Sequence, residues 1–439
     1  MRSLPATLWF RGPLALLALA SVVAVLRAPD ERTPWWGLFQ NLLDVHVYRW
    51  GAEAVRSGSP LYEGLLWGPN ERFYAPMPFT YPPFSALVFQ PLTMVSRPLM
   101  MAGWTVLTLG LLYLVIRVSF RALDYAPDRV TRQTSLLLAL ICLFLEPVRT
   151  TIWLGQINIL LLALVLADHL LSRAGPGVGA GRWRRLAGIG TGLAAGIKLT
   201  PAFFWAHWVL TGRWRVAVVA VVTFGVTVAL GFLLIPDDAV RYWSGTVLES
   251  SRIAQDSVVS NQSVSGVIAR LAGVDDAPTA VWFALATLAA VAGLVVAALA
   301  HRAGHQLLGL TLVGMTMSMV SPFSWGHHWV WFVPLLVVLV HRAVAGRRWY
   351  LWLLPLLLWA AAATWVQSFP NPAFPDDRWV AMGLFMLGGD IPPVIFALCT
   401  NIYPLVWLTV TVGTAVLVIR GRRTHRATGG PLQPLADDG

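Results

Sequence analysis

Long apolar runs joined by short polar stretches occupy almost the whole chain. A window of about 19 residues, allowing the roughly 17 to 25 that a 30 Å hydrocarbon core requires, places spans at about 9–27, 98–119, 134–149, 154–172, 214–235, 278–300, 305–320, 328–342, 349–366 and 393–419. A further apolar stretch, Leu186 to Leu210, is long enough to enter a membrane, but Lys198 and Pro201 interrupt it. It reads as two short segments forming a hairpin. The pattern predicts an all-α polytopic membrane protein with about 12 membrane segments, the broken hairpin included. Residues 1–426 make one transmembrane domain in this reading, and 427–439 a disordered cytoplasmic tail. The first span could pass for a cleaved signal peptide; with no clear A-x-A site before the polar stretch, a retained anchor is expected.

Charge adds an orientation. Lys and Arg collect in short cytoplasmic loops, and an inside N-terminus puts "RALDYAPDRVTR", "RAGPGVGAGRWRR", "HRAVAGRR" and "RGRRTHR" on that side. Three long polar segments, 28–97, 236–277 and 367–392, are left on the outer face. The expected location is the plasma membrane, with the functional site on the outer, periplasmic side.

Composition changes the picture less. The chain has 439 residues, 57% hydrophobic and only 12% charged, with a mean hydropathy of +0.65; a soluble domain carries roughly a quarter charged residues. A net charge of +11 is compatible with nucleic-acid binding, but the arginines are dispersed in short clusters, so no nucleic-acid partner is expected. Cys142 and Cys399 both lie in apolar segments and show neither disulfide nor metal-type spacing.

The unusual polar residues fall on the outer side of this topology. Asp44, Tyr48, Ala52 and Val55 recur at helical spacing, which predicts a short amphipathic helix at the interface with Asp44 in its first turn. An acid there is either a dipole partner or a functional carboxylate. "TYPPF" forms a rigid turn that carries Tyr81, because Pro83 restricts Pro82. Gln156 and Asn158, at the mouth of a span, suit either helix packing or sugar binding. Asn261 and Gln262 in "SNQSV" are candidates for the same hydrogen bonding. Lys198 within an apolar stretch needs a partner or an aqueous cavity, or else snorkels to the interface. In "SPFSWGHHWVWF", Trp325 belongs to a tight turn, and His327 and His328 begin the next helix about 100° apart. Those histidines are either packed at an interface or donors to an anion, with Lys198 and Arg49 completing the pocket. Adjacent histidines are not the i, i+4 arrangement used for zinc, and no H-E-x-x-H or carboxylate triad accompanies them.

Taken in order, "DVHVYRWGAEAV", "LYEG", "FTYPPFSALVFQPL", "GQINILLLALVLAD", "GLAAGIKLTP", "SNQSVSGVIARL" and "SPFSWGHHWVWFVPLL" resemble glycosyltransferase family 87, a group of actinobacterial membrane α-mannosyltransferases. The resemblance runs from about Asp44 to Pro334. It implies a GT-C fold, a polyprenyl-phosphate-mannose donor and an inverting transfer to a mannosylated lipid or lipoglycan, such as a phosphatidylinositol mannoside, lipomannan or lipoarabinomannan, through an α-(1→2) linkage. It also implies an acid in the first outer loop, which maps onto Asp44 as general base. The chain has a single D-x-x-x-Y there, without the adjacent acidic pair of some GT-C relatives. A divalent metal is therefore left open, and no ligand motif supports one. Lys198, His327 and His328 would stabilise the leaving phosphate. Arg49, Tyr48, Tyr81, Gln156, Asn158, Asn261, Gln262 and Trp325 would bind substrate, and Trp67 and Tyr74 offer further rings for stacking on sugar. A donor carrying arabinose or glucose stays open. A transporter is disfavoured, because the chain shows neither internal repeats nor polar sites at mid-membrane.

Overall fold

The computed structural model describes residues 2–28, 33, 36–38, 41–67, 76–173, 183–248, 254–369, 378–388 and 391–427. Within them the chain is almost wholly helical. Five helices are long and apolar enough to cross a membrane: α1 (Leu8–Leu26), α4 (Arg97–Ala122), α10 (Trp214–Leu234), α13 (Thr279–Arg302) and Ile402–Gly421 of α18 (Ile402–Ala427). The protein is thus a multi-pass membrane protein. The other helices are α2 (Leu43–Ser57), α3 (Pro83–Val88), α5 (Arg129–Cys142), α6 (Glu146–Leu154), α7 (Asn158–Ser172), α8 (Ile189–Ile197), α9 (Phe204–Leu210), α11 (Pro236–Ser244), α12 (Val264–Ala272), α14 (Gln306–Val320), α15 (Phe332–Gly346), α16 (Leu353–Ala362) and α17 (Pro393–Thr400).

Four of the expected spans take another form. The stretch 134–149 is not one helix: α5 ends at Cys142, and α6 begins afresh with Pro147 in its first turn. At Gly155, in the left-handed region with φ 72°, the chain turns, and α6 and α7 form a pair bent by 116°. The stretch 349–366 is a 3₁₀ turn followed by the ten-residue α16. It runs into an antiparallel hairpin, β1 (Trp365–Phe369) with β2 (Arg378–Met382), which pairs Trp365 with Met382. This hairpin departs from the all-α expectation. The stretch 393–419 is broken at Asn401, whose side-chain amide turns back to the Ala397 carbonyl at 2.8 Å. Finally, His327 and His328 do not open a helix; they lie in a 3₁₀ turn, Gly326–Trp329, ahead of α15. The expected tail beyond Ala427, like Tyr74, lies outside the described residues.

Two elements position the site. α2 forms as its periodicity predicts, ending where Gly58 (φ 68°) donates its N–H to the Ala54 and Val55 carbonyls. It buries Val45, Tyr48, Trp50 and Ala52 against Phe79, Tyr81 and Phe89. Gly51 lets it approach so closely that a Cβ there would stand 2.4 Å from the Phe79 ring.

α8 is held at both its start and one face. The buried Asp168 carboxylate accepts from the backbone N–H groups of Gly190 (3.2 Å) and Thr191 (2.6 Å) and from the Thr191 hydroxyl (2.8 Å). An anion at that place complements the positive end of the helix. Gly188, Gly192 and Gly196 then line one face, where added Cβ atoms would come within 2.4, 2.5 and 2.3 Å of α10 atoms. Small residues at this spacing allow membrane helices to touch backbone to backbone. We expect Gly192→Ala to cost about 1–3 kcal/mol by overpacking, lowering the thermal midpoint and slowing whatever reaction Lys198 serves, since α8 ends at that lysine. An unchanged melting curve would show that the α8–α10 contact is loose.

Candidate active site

Five separate segments bring a carboxylate, an ammonium and an imidazole together. α2 carries Asp44 and, one turn later on the same side, Tyr48. The turn before α3 carries Tyr81, the break between α6 and α7 carries Gln156 and Asn158, the end of α8 carries Lys198, and the 3₁₀ turn carries His327 and His328.

Gln156 is the hub on the Asp44 side. Its carbonyl oxygen accepts from the Tyr48 hydroxyl at 3.1 Å and the Tyr81 hydroxyl at 3.3 Å, and those hydroxyls lie 3.1 Å apart. The Gln156 side chain also hydrogen-bonds the Asp44 carboxyl. Tyr48, fully buried, stacks on Phe89 at 4.4 Å and meets Tyr81 edge-on at 5.1 Å. Burial pushes the Asp44 carboxyl up to about 7; the Gln156 hydrogen bond and the positive Lys198 oppose that shift. A carboxylate so poised is basic enough to take a proton near neutral pH.

Asn158 is the hub on the Lys198 side. Lys198 Nζ donates to Asn158 Oδ1 at 3.2 Å, lies 3.1 Å from His328 Nε2, and stands 5.7 Å from the centre of the Tyr81 ring. An ammonium offers only donors, so with Lys198 charged the His328 Nε2 accepts. The Asn158 amide donates to the His327 carbonyl at 2.9 Å, and the Thr151 hydroxyl reaches the same oxygen at 3.3 Å. These bonds pin the 3₁₀ turn onto the α6–α7 break. Asn158, Lys198 and His328 line a cleft with Thr200, Ser318 and Ser321. His327 is 5% exposed, stacked on Trp325 at 11° and edge-on to His328. Its Nε2 has no hydrogen-bond partner among the described residues.

Three expected site residues are not brought into this cluster. Arg49 leaves the other side of α2, donating to Glu53 at 2.7 Å and to the Val95 carbonyl at 2.8 Å. Asn261 is fully buried, its amide committed to the Asp256 carbonyl and the Ser265 hydroxyl, its oxygen to Ser263 and the Ser324 N–H. Gln262 is equally buried, spanning the Val259 and Thr400 carbonyls and the Tyr403 N–H. Both residues staple the loop before α12 to the histidine turn and to α18. Trp325 remains at the rim, half-buried against Phe323. We expect Asn261→Ala to leave buried groups unpaired, at about 1–3 kcal/mol each, so the thermal midpoint falls while donor KM stays put. A raised KM at unchanged stability would restore Asn261 to substrate binding.

The sequence alone assigns no role to the residues behind the histidines. Glu146 is 1% exposed and accepts from the Tyr403 hydroxyl at 2.7 Å. A Cβ on Gly326 would stand 2.6 Å from its carboxylate, so only glycine lets the histidine turn lie there. The pairing with Tyr403, over 250 positions away, left no local signal. Among the described residues no three His, Cys, Asp or Glu side chains are grouped to hold a metal.

Comparison with known proteins places this cluster in a chemical context. The family model described as Glycosyltransferase family 87 matches residues 79–322, which include Tyr81, Gln156, Asn158 and Lys198. A Mycolicibacterium smegmatis protein named polyprenol-phosphate-mannose-dependent alpha-(1-2)-phosphatidylinositol mannoside mannosyltransferase is 32% identical over 96% of this chain and 93% of its own length. A Mycobacterium tuberculosis protein of the same name is 34% identical over 69% of this chain and 72% of itself. Another from that species, named as acting on the phosphatidylinositol pentamannoside, is 33% identical over 82% of both. No solved structure matches the chain significantly. With more than half of its residues inside the family match, and a relative 32% identical along nearly its full length, the chain belongs to glycosyltransferase family 87.

Proposed function

We propose that this protein is a membrane mannosyltransferase that moves mannose from polyprenol-phosphate-mannose to a phosphatidylinositol mannoside, forming an α-(1→2) linkage with inversion. The names of the similar proteins support the substrates. One observation carries the chemistry: Asp44 is near enough to Lys198 to feel its charge, while Lys198 holds both His328 and Asn158.

In the proposed reaction an acceptor hydroxyl attacks the anomeric carbon of the β-linked donor, and its proton passes to Asp44. The bond from that carbon to the phosphate oxygen breaks, and polyprenyl phosphate leaves. No acid need protonate the leaving group, unlike glycoside hydrolysis, where a second carboxyl does so. Positive charge and donors preset around the phosphate are the larger requirement. Lys198 supplies the charge, and Asn158 and His328 hold it in place. His327, with Nε2 unpartnered, is available to the sugar or the phosphate. Gln156, Tyr48 and Tyr81 orient the base, and Trp325 at the rim offers a ring to the acceptor sugar.

The finer architecture belongs to the same proposal. The fold is GT-C, a single domain over 1–426, in which the short apolar helices Gln306–Val320, Phe332–Gly346 and Trp349–Ala362 join the longer ones to give about 12 membrane segments. The site opens to the outer face of the plasma membrane, because the arginine-rich connections cluster at the other ends of its helices.

Purified protein given polyprenyl-phosphate-mannose and a panel of phosphatidylinositol mannosides, with product linkages determined, tests this reading. An α-(1→2)-mannosylated lipid is expected. Transfer only from an arabinose or glucose donor, or to no acceptor at all, would overturn it.

A further inference from the structure

Four helices that end at the Asp44 cluster have their other ends around a second polar cavity. α4 places Trp104 against Tyr48 and ends at Ala122 in the cavity wall. α7 runs from Asn158 to Ser172, with Arg173 directly after it, α14 from Gln306 to Ser318 beside the cleft, and α15 from the histidine turn to His341 and Arg342. Fifteen helical residues span about 22 Å, so the cavity lies on the far side of the helix layer from the reaction.

Its volume is about 530 Å³, and its charge is one-sided. Arg2, Arg173 and Arg342 line it with a single carboxylate, Asp124. Arg173 bonds Asp124 at 3.2 Å. Arg2 reaches His341 Nε2 at 2.8 Å, and the other nitrogen of that ring meets the Tyr125 hydroxyl at 2.9 Å. Gln306 is held from behind by Arg213 at 3.2 Å. Arg342, half-buried, has no hydrogen bond or ion pair among the described residues. A guanidinium left thus in a cavity is a ready partner for a phosphate oxygen, which it binds in a two-pronged fashion.

The cavity continues into a second space of another kind. Leu308, Val338, Arg342 and Leu354 line both it and an apolar groove of about 490 Å³ between α15, α16 and α18. Cationic and apolar compartments joined at one arginine match an amphiphile with an anionic head. We infer that this end of the protein binds an anionic phospholipid, its phosphate on Arg342 with Arg2 and Arg173, and an acyl chain along the α15–α16–α18 groove. A free phosphate ion would use the cavity and leave the groove empty. Basic pockets between membrane helices on the cytoplasmic side recognise such headgroups, and the cytoplasmic leaflet is the anionic one. The leaflet rests on the proposed orientation; the binding does not.

The full chain, purified in detergent and stripped of lipid, is titrated by native mass spectrometry with phosphatidylglycerol and with phosphatidylcholine of the same chains. Thermal unfolding is followed in parallel with each lipid and with inorganic phosphate. Phosphatidylglycerol is expected to bind about tenfold or more tightly than phosphatidylcholine and to raise the unfolding midpoint, whereas inorganic phosphate leaves the midpoint unchanged. Arg342→Gln should weaken phosphatidylglycerol about tenfold, the loss of one charge-assisted contact. Because that arginine has no intramolecular partner among the described residues, the variant should fold and keep its transfer activity. Equal retention of the two lipids would overturn the inference, and so would protection by inorganic phosphate matching that by lipid. It would fall equally if phosphatidylglycerol affinity stayed unchanged in both Arg342→Gln and the Arg173→Gln, Arg342→Gln double variant.

Discussion

Asp44→Asn is expected to lower the single-turnover rate of mannosyl transfer by about 10² or more, with donor affinity within about twofold of the native protein. The substitution keeps the side chain's size and much of its hydrogen bonding to Gln156, so the tyrosine pair and the α2 packing survive. What it removes is basicity. Burial and the opposing pull of Lys198 leave the native carboxyl at about 7, where it is partly ionised near neutral pH and still basic enough to take a hydroxyl proton. An amide cannot accept that proton at all. Near-normal transfer by the variant would remove Asp44 from the chemistry and leave it a partner of the α2 dipole.

Lys198→Met is expected to reduce both donor affinity and turnover, the latter by about 10² to 10³, the usual cost of removing a preset group that stabilises the developing anion. Its effect on stability should go the other way. A lysine within an apolar stretch is costly to insert, and methionine fills similar space without a charge, so the thermal midpoint should hold or rise. Loss of activity in a protein of undiminished stability separates a functional cation from a structural one. His328→Ala removes the acceptor 3.1 Å from Nζ and frees the ammonium to turn away, so it should give a weaker form of the same phenotype. Unchanged donor affinity and rate in both variants would assign these residues to packing.

How much of this was legible in the sequence depended on whether the signal was local. α2 was readable because Asp44, Tyr48 and Ala52 repeat at the helical period, and Lys198 because a charge inside an apolar run demands a reason. The family resemblance, drawn from seven short motifs, is borne out by the family match and the relatives. Arg49 lies away from the cluster, and a clue to that is local: Glu53, four residues on, is its natural partner on a helix. Asn261 and Gln262 carry the same polar atoms whether they face a sugar or a neighbouring loop. Only the fold shows that Ser324, Thr400 and Tyr403 use those atoms. The hairpin at Trp365–Phe369 was hidden because its Trp and Val continue the apolar run of α16. Glu146 went unassigned because its partner, Tyr403, and its close neighbour, Gly326, lie far along the chain.

The central claim is that Asp44 works as a base whose strength burial raises and the Gln156 hydrogen bond and the nearby Lys198 charge hold in check. The most direct test is the pH dependence of single-turnover transfer, from about pH 5.5 to about pH 8.5, for the native protein and Lys198→Met. With Asp44 as the base, transfer needs the ionised carboxylate, so the native rate should rise through an acid limb near pH 7. Removing the positive charge that favours ionisation should move that limb to higher pH. A native rate flat across this range, or a limb that stays in place when Lys198 is gone, would contradict the account.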